Sequence, residues 1–418
     1  MEFSIKLIKD WLSNFIFFLY LVAVVFIPIN LHITNKIILL TGFLSFLFFL
    51  TSPVRYFDRR VIVLVAGMFL LGAIDLSWYE FYKTNDVVYK NAYRGYLEAG
   101  KMLLFCSFTL LFLNKSKSGF NIKFHLIAVI LMQLVVLLRS YYQSLILHAD
   151  RIPLSAMNGN IGQMGAATIA AYVITFCALY ASIVFMKLDS KYKWVFFYIN
   201  FTLSFVAVMM TGTRAAIVSY PMITIAMLYI QHRNQRVFLF KGLAGVFILL
   251  FGCGLLFSKE IENRVKSLQN DINLYTTKNN SRSSVGARFS MIRAGVEVAP
   301  EGLSWQSLEQ RAINIKELSK ENNIYKGATE FLDVHMHNEV VEALSTKGVF
   351  GVIFLLFFYT TMIYYCIREK QYLLLVFPAA IILFGLSDVI THAKPIPAAW
   401  IVCLFLSTSL LTKKEEEK

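Results

Sequence analysis

The chain has 418 residues, 57% of them hydrophobic and 15% aromatic, with 37 phenylalanines and a formal charge of +14. Its mean hydropathy is +0.60, more apolar than a soluble core requires. No soluble basic domain is present to carry nucleic-acid binding, and no GxxxxGK[ST] loop supports nucleotide hydrolysis.

A membrane-spanning helix needs about 20 apolar residues. By that measure about twelve spans follow in chain order, near residues 14–31, 35–51, 60–78, 96–113, 122–138, 163–186, 194–211, 215–231, 239–257, 347–367, 371–389 and 396–412. The pair flanking Thr211-Gly212-Thr213-Arg214 is joined by a very short connection. The first span lacks a small-residue cleavage site after it and reads as a signal anchor.

Lys and Arg in the short loops set the orientation. With the N-terminus in the cytoplasm, the inside segments hold Lys6 and Lys9; Arg55, Arg59 and Arg60; Lys115, Lys117 and Lys123; and Lys187, Lys191 and Lys193. They continue with Arg233, Arg236 and Lys241; Arg368 and Lys370; and Lys413 and Lys414. Outside loops hold fewer, chiefly Lys36, Lys83, Lys90, Arg94, Arg139, Arg151 and Lys394. Both termini are therefore expected inside, and the long stretch from Ser258 to His337 outside. Inside-positive loops against anionic lipid headgroups account for most of the net charge. The chain divides into a membrane bundle over 1–257, a polar loop over 258–336, and a re-entry helix with the last three spans over 337–418. Cys106, Cys177, Cys253, Cys366 and Cys403 all fall in or beside apolar spans and read as small buried hydrophobes. None lies in the outside loop, so neither a disulfide framework nor a cysteine metal site is expected.

The loop reads as helical. Ile261, Val265, Leu268 and Ile272 form one apolar stripe. Ser283 or Ser284 caps a second helix running to Val298, with Pro300 beyond it. A third helix places Leu308, Ala312, Ile315 and Leu318 on one face and its charges elsewhere. Such helices either lie on the outer leaflet or pack across the mouth of the bundle; packing is the preferred reading.

Three side chains carry candidate chemistry. Arg214 stands at the outer end of a span, where a guanidinium either snorkels to lipid phosphates or binds an anion. Arg288 lies in the second loop helix and, taken alone, is a solvated charge. His337 begins the return into the membrane, as a hydrogen-bonded structural imidazole or as a base. Together they fit an anionic, lipid-linked substrate: two guanidiniums for a diphosphate and its developing charge, and an imidazole for the proton of an attacking hydroxyl. If Asn338 starts a helix, the adjacent positive helix end favours neutral His337. His335 sits two residues away and does not share a helix face with His337, so a metal site on that pair is not favoured.

The run His337, Asn338, nine residues and then Gly348 matches the spacing of a pattern found in O-antigen ligases of the Gram-negative inner membrane. The TGTRA segment with Arg214, the GARFSM segment with Arg288, LSDVI around Asp388 and DLSWYEF around Asp75 also resemble that family. The resemblance covers essentially the whole chain. It implies an all-α polytopic membrane protein of about twelve transmembrane helices, a GT-C-type glycosyltransferase fold and one large helical periplasmic loop. It further implies inverting, metal-independent transfer of O-polysaccharide from undecaprenyl diphosphate to lipid A–core oligosaccharide in lipopolysaccharide biosynthesis, with no cofactor and no nucleotide. Under it, His337 is the base, Arg214 and Arg288 bind the donor diphosphate, and Asn338, Gly348 and Asp388 support them. Inner-membrane lipids complete the partners, and the active site is expected in the periplasm. An O-antigen polymerase uses the same donor and stays open. A lipid-linked oligosaccharide flippase is the alternative from another class, although it should show related halves and mid-membrane charges. Acceptor choice is expected to lie between Arg293 and Asp333.

Overall fold

The computed structural model describes residues 2–51, 60–114, 121–154, 166–392 and 396–412. Arg55, Arg59, Lys115, Lys117, Lys394, Lys413 and Lys414, used above for orientation, lie outside those residues. All regular structure among the described residues is helical. Among the described residues, ten helices are long and apolar enough to cross a membrane. They are α1 (Glu2–Phe26), α2 (Leu31–Thr51), α3 (Ile62–Tyr82), α4 (Lys90–Asn114), α5 (Ile122–Tyr141, extended by a π-helical turn to Ile146), α6 (Ala166–Lys187), α7 (Lys193–Thr211), α8 (Arg214–His232), α9 (Arg236–Leu256) and α14 (Glu339–Arg368). Between α9 and α14 lie α10 (Ser258–Lys278), α11 (Ser284–Glu297), α12 (Leu308–Glu321) and the short α13 (Lys326–Thr329). After α14 come α15 (Val376–Gly385) and α16 (Ile396–Thr412).

The protein is therefore a multi-pass, all-helical membrane protein. Of the twelve expected spans, the last two are shorter apolar helices, Tyr372–Gly385 and Ile396–Leu411. At 1.5 Å per residue, the 10-residue α15 rises about 15 Å, half of a bilayer core. It stops at Gly385 because the chain then runs as irregular backbone from Leu386 to His392.

Helix α6 is the central pillar, buried along almost its whole length against α5, α7 and α16. Helix α9 is the opposite case, with Phe247, Ile248, Phe251, Leu255 and Leu256 turned outward, as expected of a lipid-facing helix. All five cysteines are free and buried.

The loop helices begin where their caps are. The Ser283 and Ser307 hydroxyls accept from the amides of Gly286 and Gln310, satisfying first-turn donors that would otherwise be orphaned. Helices α11 and α12 pack over the bundle. A small core joins Met291, Ala294, Val298, Ile315 and Ala328 to Met336 and Val341 at the start of α14. A second contact zone seats Leu308 among Trp78, Tyr93 and Tyr96 of α3 and α4.

Two expectations change here. The charges of α12 do not all lie on its outer face, since Arg311 is fully buried. The apolar stripe of α10 does not pack: Ile261, Val265 and Ile272 stay 37%, 47% and 37% exposed. Tyr275 is buried and Asp271 half-buried instead, because α10 meets α11 through Tyr275, whose ring lies tilted 5.3 Å from that of Phe289.

Candidate functional site

The turn carrying His335 and His337 is pinned through the residue between them. Met336 is fully buried in the loop core, a contribution of about 1.5–3 kcal/mol, and its amide donates to Glu342 Oε2 at 2.8 Å. With Met336 committed inward, the flanking imidazoles turn towards the α15–α16 loop. The chain pivots at His337, whose φ is +51°. That left-handed conformation is strained for a residue with a Cβ and recurs at functional sites. Asn338 then caps α14, accepting from the Val341 amide at 3.1 Å and donating to the Leu386 carbonyl at 3.2 Å.

Asp388 follows the end of α15 in irregular backbone. It is buried, accepts from Val389 N at 2.9 Å and hydrogen-bonds His335 Nε2 through the same Oδ1. His337 Nδ1 lies 3.6 Å from that oxygen, and it makes no hydrogen bond among the described residues. The two imidazole rings meet edge-on, 4.8 Å apart.

Charge balance splits the two histidines. Burial opposes protonation of His335, but the Asp388 carboxylate outweighs it and raises the pKa. For His337 burial dominates; the positive charges of His335 and Arg288 add to it, against the pull of Asp388, and the pKa falls. Burial would raise Asp388, yet the two histidines hold it well below the usual carboxylate range. The site therefore sets the two histidines apart, with Asp388 favouring the protonated form of His335 and burial favouring the neutral form of His337. The ligand atoms of His335, His337 and Asp388 lie within 4.8 Å of one another. In this arrangement His335 Nε2 and Asp388 Oδ1 are directed at each other.

Irregular backbone inside a membrane bundle needs protein partners for its polar groups. Glu339 supplies them: it accepts from Ile390 N at 3.0 Å, Thr391 N at 2.5 Å and the Tyr359 hydroxyl at 2.5 Å. Glu342, one turn on, accepts from Tyr96 Oη at 2.6 Å and Arg311 Nη1 at 2.9 Å. Lys347 binds Asp75 at 2.6 Å across to α3. The helix then breaks at Gly348, where φ is +58° and ψ is −152°. A Cβ there would sit 2.7 Å from the Ser304 carbonyl oxygen, so only glycine fits.

The second half of the site is an arginine cluster around the turn between α7 and α8. Gly212 closes α7 in the left-handed region at φ +64°. Arg151 Nε donates to the Thr211 carbonyl at 2.7 Å, and its Nη2 reaches the Thr213 hydroxyl at 3.2 Å. Arg264 Nη2 lies 2.5 Å from where a Cβ at Gly212 would stand. Arg214 begins α8, a helix whose N-cap makes no side-chain hydrogen bond, and it donates to the Ser267 hydroxyl at 3.3 Å. Burial lowers the Arg151 pKa, and the charges of Arg264, Arg288 and Arg214 lower it further. Among the described residues none of the four forms an ion pair with a carboxylate. Guanidiniums gathered at an open helix N-terminus make an anion site. The Arg288 charge acts on both Arg151 and His337.

Residues 199–356 match the family model described as O-Antigen ligase. An O-antigen ligase of Escherichia coli (strain K12) is 30% identical over 353 residues, covering 84% of this chain and 81% of that relative. The chain belongs to the O-antigen ligase family. It is accordingly an enzyme, and the flippase reading loses its support. The family-matched segment contains Arg214, Arg264, Arg288, Arg311, both histidines, Glu342 and Gly348; Asp388, Arg151 and Tyr96 join it from outside.

Sequence reasoning missed Arg151, Arg264, Arg311, Glu339 and Glu342. Glu339 and Glu342 had a local signal, two acids in the first turn of a helix entering a membrane. Arg311 had none, because its partner is 31 residues away.

Proposed function

We propose that the enzyme transfers O-polysaccharide from undecaprenyl diphosphate to a hydroxyl of lipid A–core oligosaccharide, at the periplasmic face of the bacterial inner membrane. What supports this reading is an imidazole whose Nδ1 makes no hydrogen bond among the described residues and whose pKa is lowered, with an arginine cluster that forms no ion pair among them and in which Arg288 acts on both Arg151 and His337. His337 takes the proton of the acceptor hydroxyl. The acceptor oxygen attacks the anomeric carbon, the carbon–oxygen bond to phosphate breaks, and undecaprenyl diphosphate departs with its electron pair. Attack opposite the leaving group inverts the anomeric centre. Arg214 and Arg288 bind the diphosphate and neutralise the charge that builds on it, the work a divalent cation performs elsewhere. Asp388 orients the His337 ring, Asn338 sets the helix start, and Gly348 lets α14 break against Ser304.

In the same reading the fold is of the GT-C type with twelve crossings, counting the two shorter helices. Both termini are cytoplasmic. Residues 258–336 form the periplasmic unit between bundle segments 1–257 and 337–418, and the segment from Arg293 to Asp333 selects the acceptor. The test is a reaction of the purified protein with an undecaprenyl-diphosphate glycan and lipid A–core. Core-linked glycan is the expected product. A lengthened lipid-linked glycan without core would make the enzyme a polymerase instead.

A further inference from the structure

Helix α10 presents three distinct faces. At about 100° per residue, Ile261, Val265, Leu268 and Ile272 share one line, and Arg264, Ser267, Asp271 and Tyr275 share the neighbouring line about a quarter-turn away. Glu262, Lys266 and Asn273 occupy the rest. The second line looks onto the arginine cluster: Arg264 lies against Gly212, Ser267 receives Arg214, and Tyr275 is buried. Three of the four residues of the apolar line are exposed, Val265 most at 47%, and Leu268 is half-buried. Only Phe257 separates α10 from α9, whose Phe251, Leu255 and Leu256 are 70%, 63% and 79% exposed at the end of a membrane span. The uncovered stripe is thus continuous with a lipid-facing surface.

We infer that α10 is an interfacial helix whose Ile261–Val265–Leu268–Ile272 stripe rests in the outer leaflet, holding the arginine cluster at the depth of the lipid headgroups. An amphipathic helix joined directly to a spanning helix buries its apolar line at the headgroup–acyl boundary. Because the apolar and arginine-facing lines adjoin, a lipid-anchored diphosphate reaches Arg214 along the edge of α10 without its prenyl chain leaving the bilayer. The inference rests on the outward placement of residues 258–336.

The test uses the full chain in phosphatidylethanolamine–phosphatidylglycerol nanodiscs, spin-labelled at Val265→Cys or Ile272→Cys and, for comparison, at Glu262→Cys or Asn273→Cys. The native cysteines are buried, and the unsubstituted protein serves as the blank. Labels at 265 and 272 should collide more with oxygen than with a water-soluble nickel chelate, and those at 262 and 273 the reverse. Water-like collisions at 265 and 272 would overturn the inference, as would dipolar broadening there, which would assign the stripe to a second copy of the chain. An impermeant thiol reagent on Glu262→Cys in intact spheroplasts reads sidedness separately. Labelling is expected; its failure would remove the outward placement of the loop, whatever the collision data show of lipid contact.

Discussion

The histidine turn and the arginine cluster are built on opposite physical principles. Around the turn every charge has an answer within the protein. Asp388 meets His335, Glu342 meets Arg311, Lys347 meets Asp75, and Glu339 satisfies two amides and a hydroxyl. Around Gly212 four arginine charges repel one another; Asp271 offsets Arg214 in part, but none of the four forms an ion pair among the described residues. At an effective dielectric of about 20, two like charges 5 Å apart cost roughly 3 kcal/mol. A fully compensated region holds one geometry before substrate arrives. An uncompensated one is completed by an anion, and the repulsion relieved on binding favours that anion. On the proposed reading, the turn is a preorganised tool and the cluster a receptor.

The comparison breaks first at His337. His337→Ala should lower ligation by about 10² to 10⁴, the range general-base groups contribute, while expression and thermal unfolding in detergent stay at parental levels. An active variant would make the turn a structural device. The ion pair beneath it sets the next largest effect. Arg311→Met alone strands Glu342 and should cost about 3–5 kcal/mol of stability. Arg311→Met combined with Glu342→Gln should recover much of that, because no buried charge is left unpaired. Equal unfolding temperatures for the single and double variants would show that the pair is not the lock of the turn.

How much of this was legible in the sequence follows the range of each interaction. Spans of α1 to α9 follow from runs of apolar residues, and the caps at Ser283 and Asn338 from local chemistry. His337 and Arg214 were visible as polar groups at membrane boundaries, whereas Arg288, a solvated charge when taken alone, gained meaning only beside them. Arg311 was not, since in α12 it reads as one more polar residue and only Glu342 in the third dimension explains its burial. Val265 misled for a related reason. A stripe at helical spacing shows that a helix has an apolar face, and says nothing of whether protein or lipid covers it. Asp388 entered through the LSDVI resemblance as a supporting residue, but its burial was not legible, because α15 is half a span. Its carboxylate is carried into the bundle by irregular backbone whose hydrogen bonds come from Glu339.

Smaller effects sharpen the receptor half. Arg214→Ala removes a charge-assisted contact worth about 1.5–3 kcal/mol, a loss of roughly tenfold to a hundredfold in kcat/KM. Arg214→Lys should recover only part, since a single ammonium cannot match the bidentate fork. Full activity in the lysine variant would leave Arg214 a generic positive charge.

The smallest effect joins the two regions. His337 acts neutral, so activity should be flat through neutral pH and fall on the acid side as the imidazole protonates, below the ordinary histidine value because its pKa is lowered. The Arg288 charge is one of the causes, as it disfavours the imidazolium. Arg288→Gln removes that disfavour, the pKa rises, and the acid limb of kcat/KM should move to higher pH on top of the loss in rate. A rate loss with an unmoved limb would place Arg288 with the diphosphate alone and out of electrostatic reach of the base. A moved limb requires that receptor and tool share one field, so that an anion bound at the arginines raises the basicity of His337 as it binds.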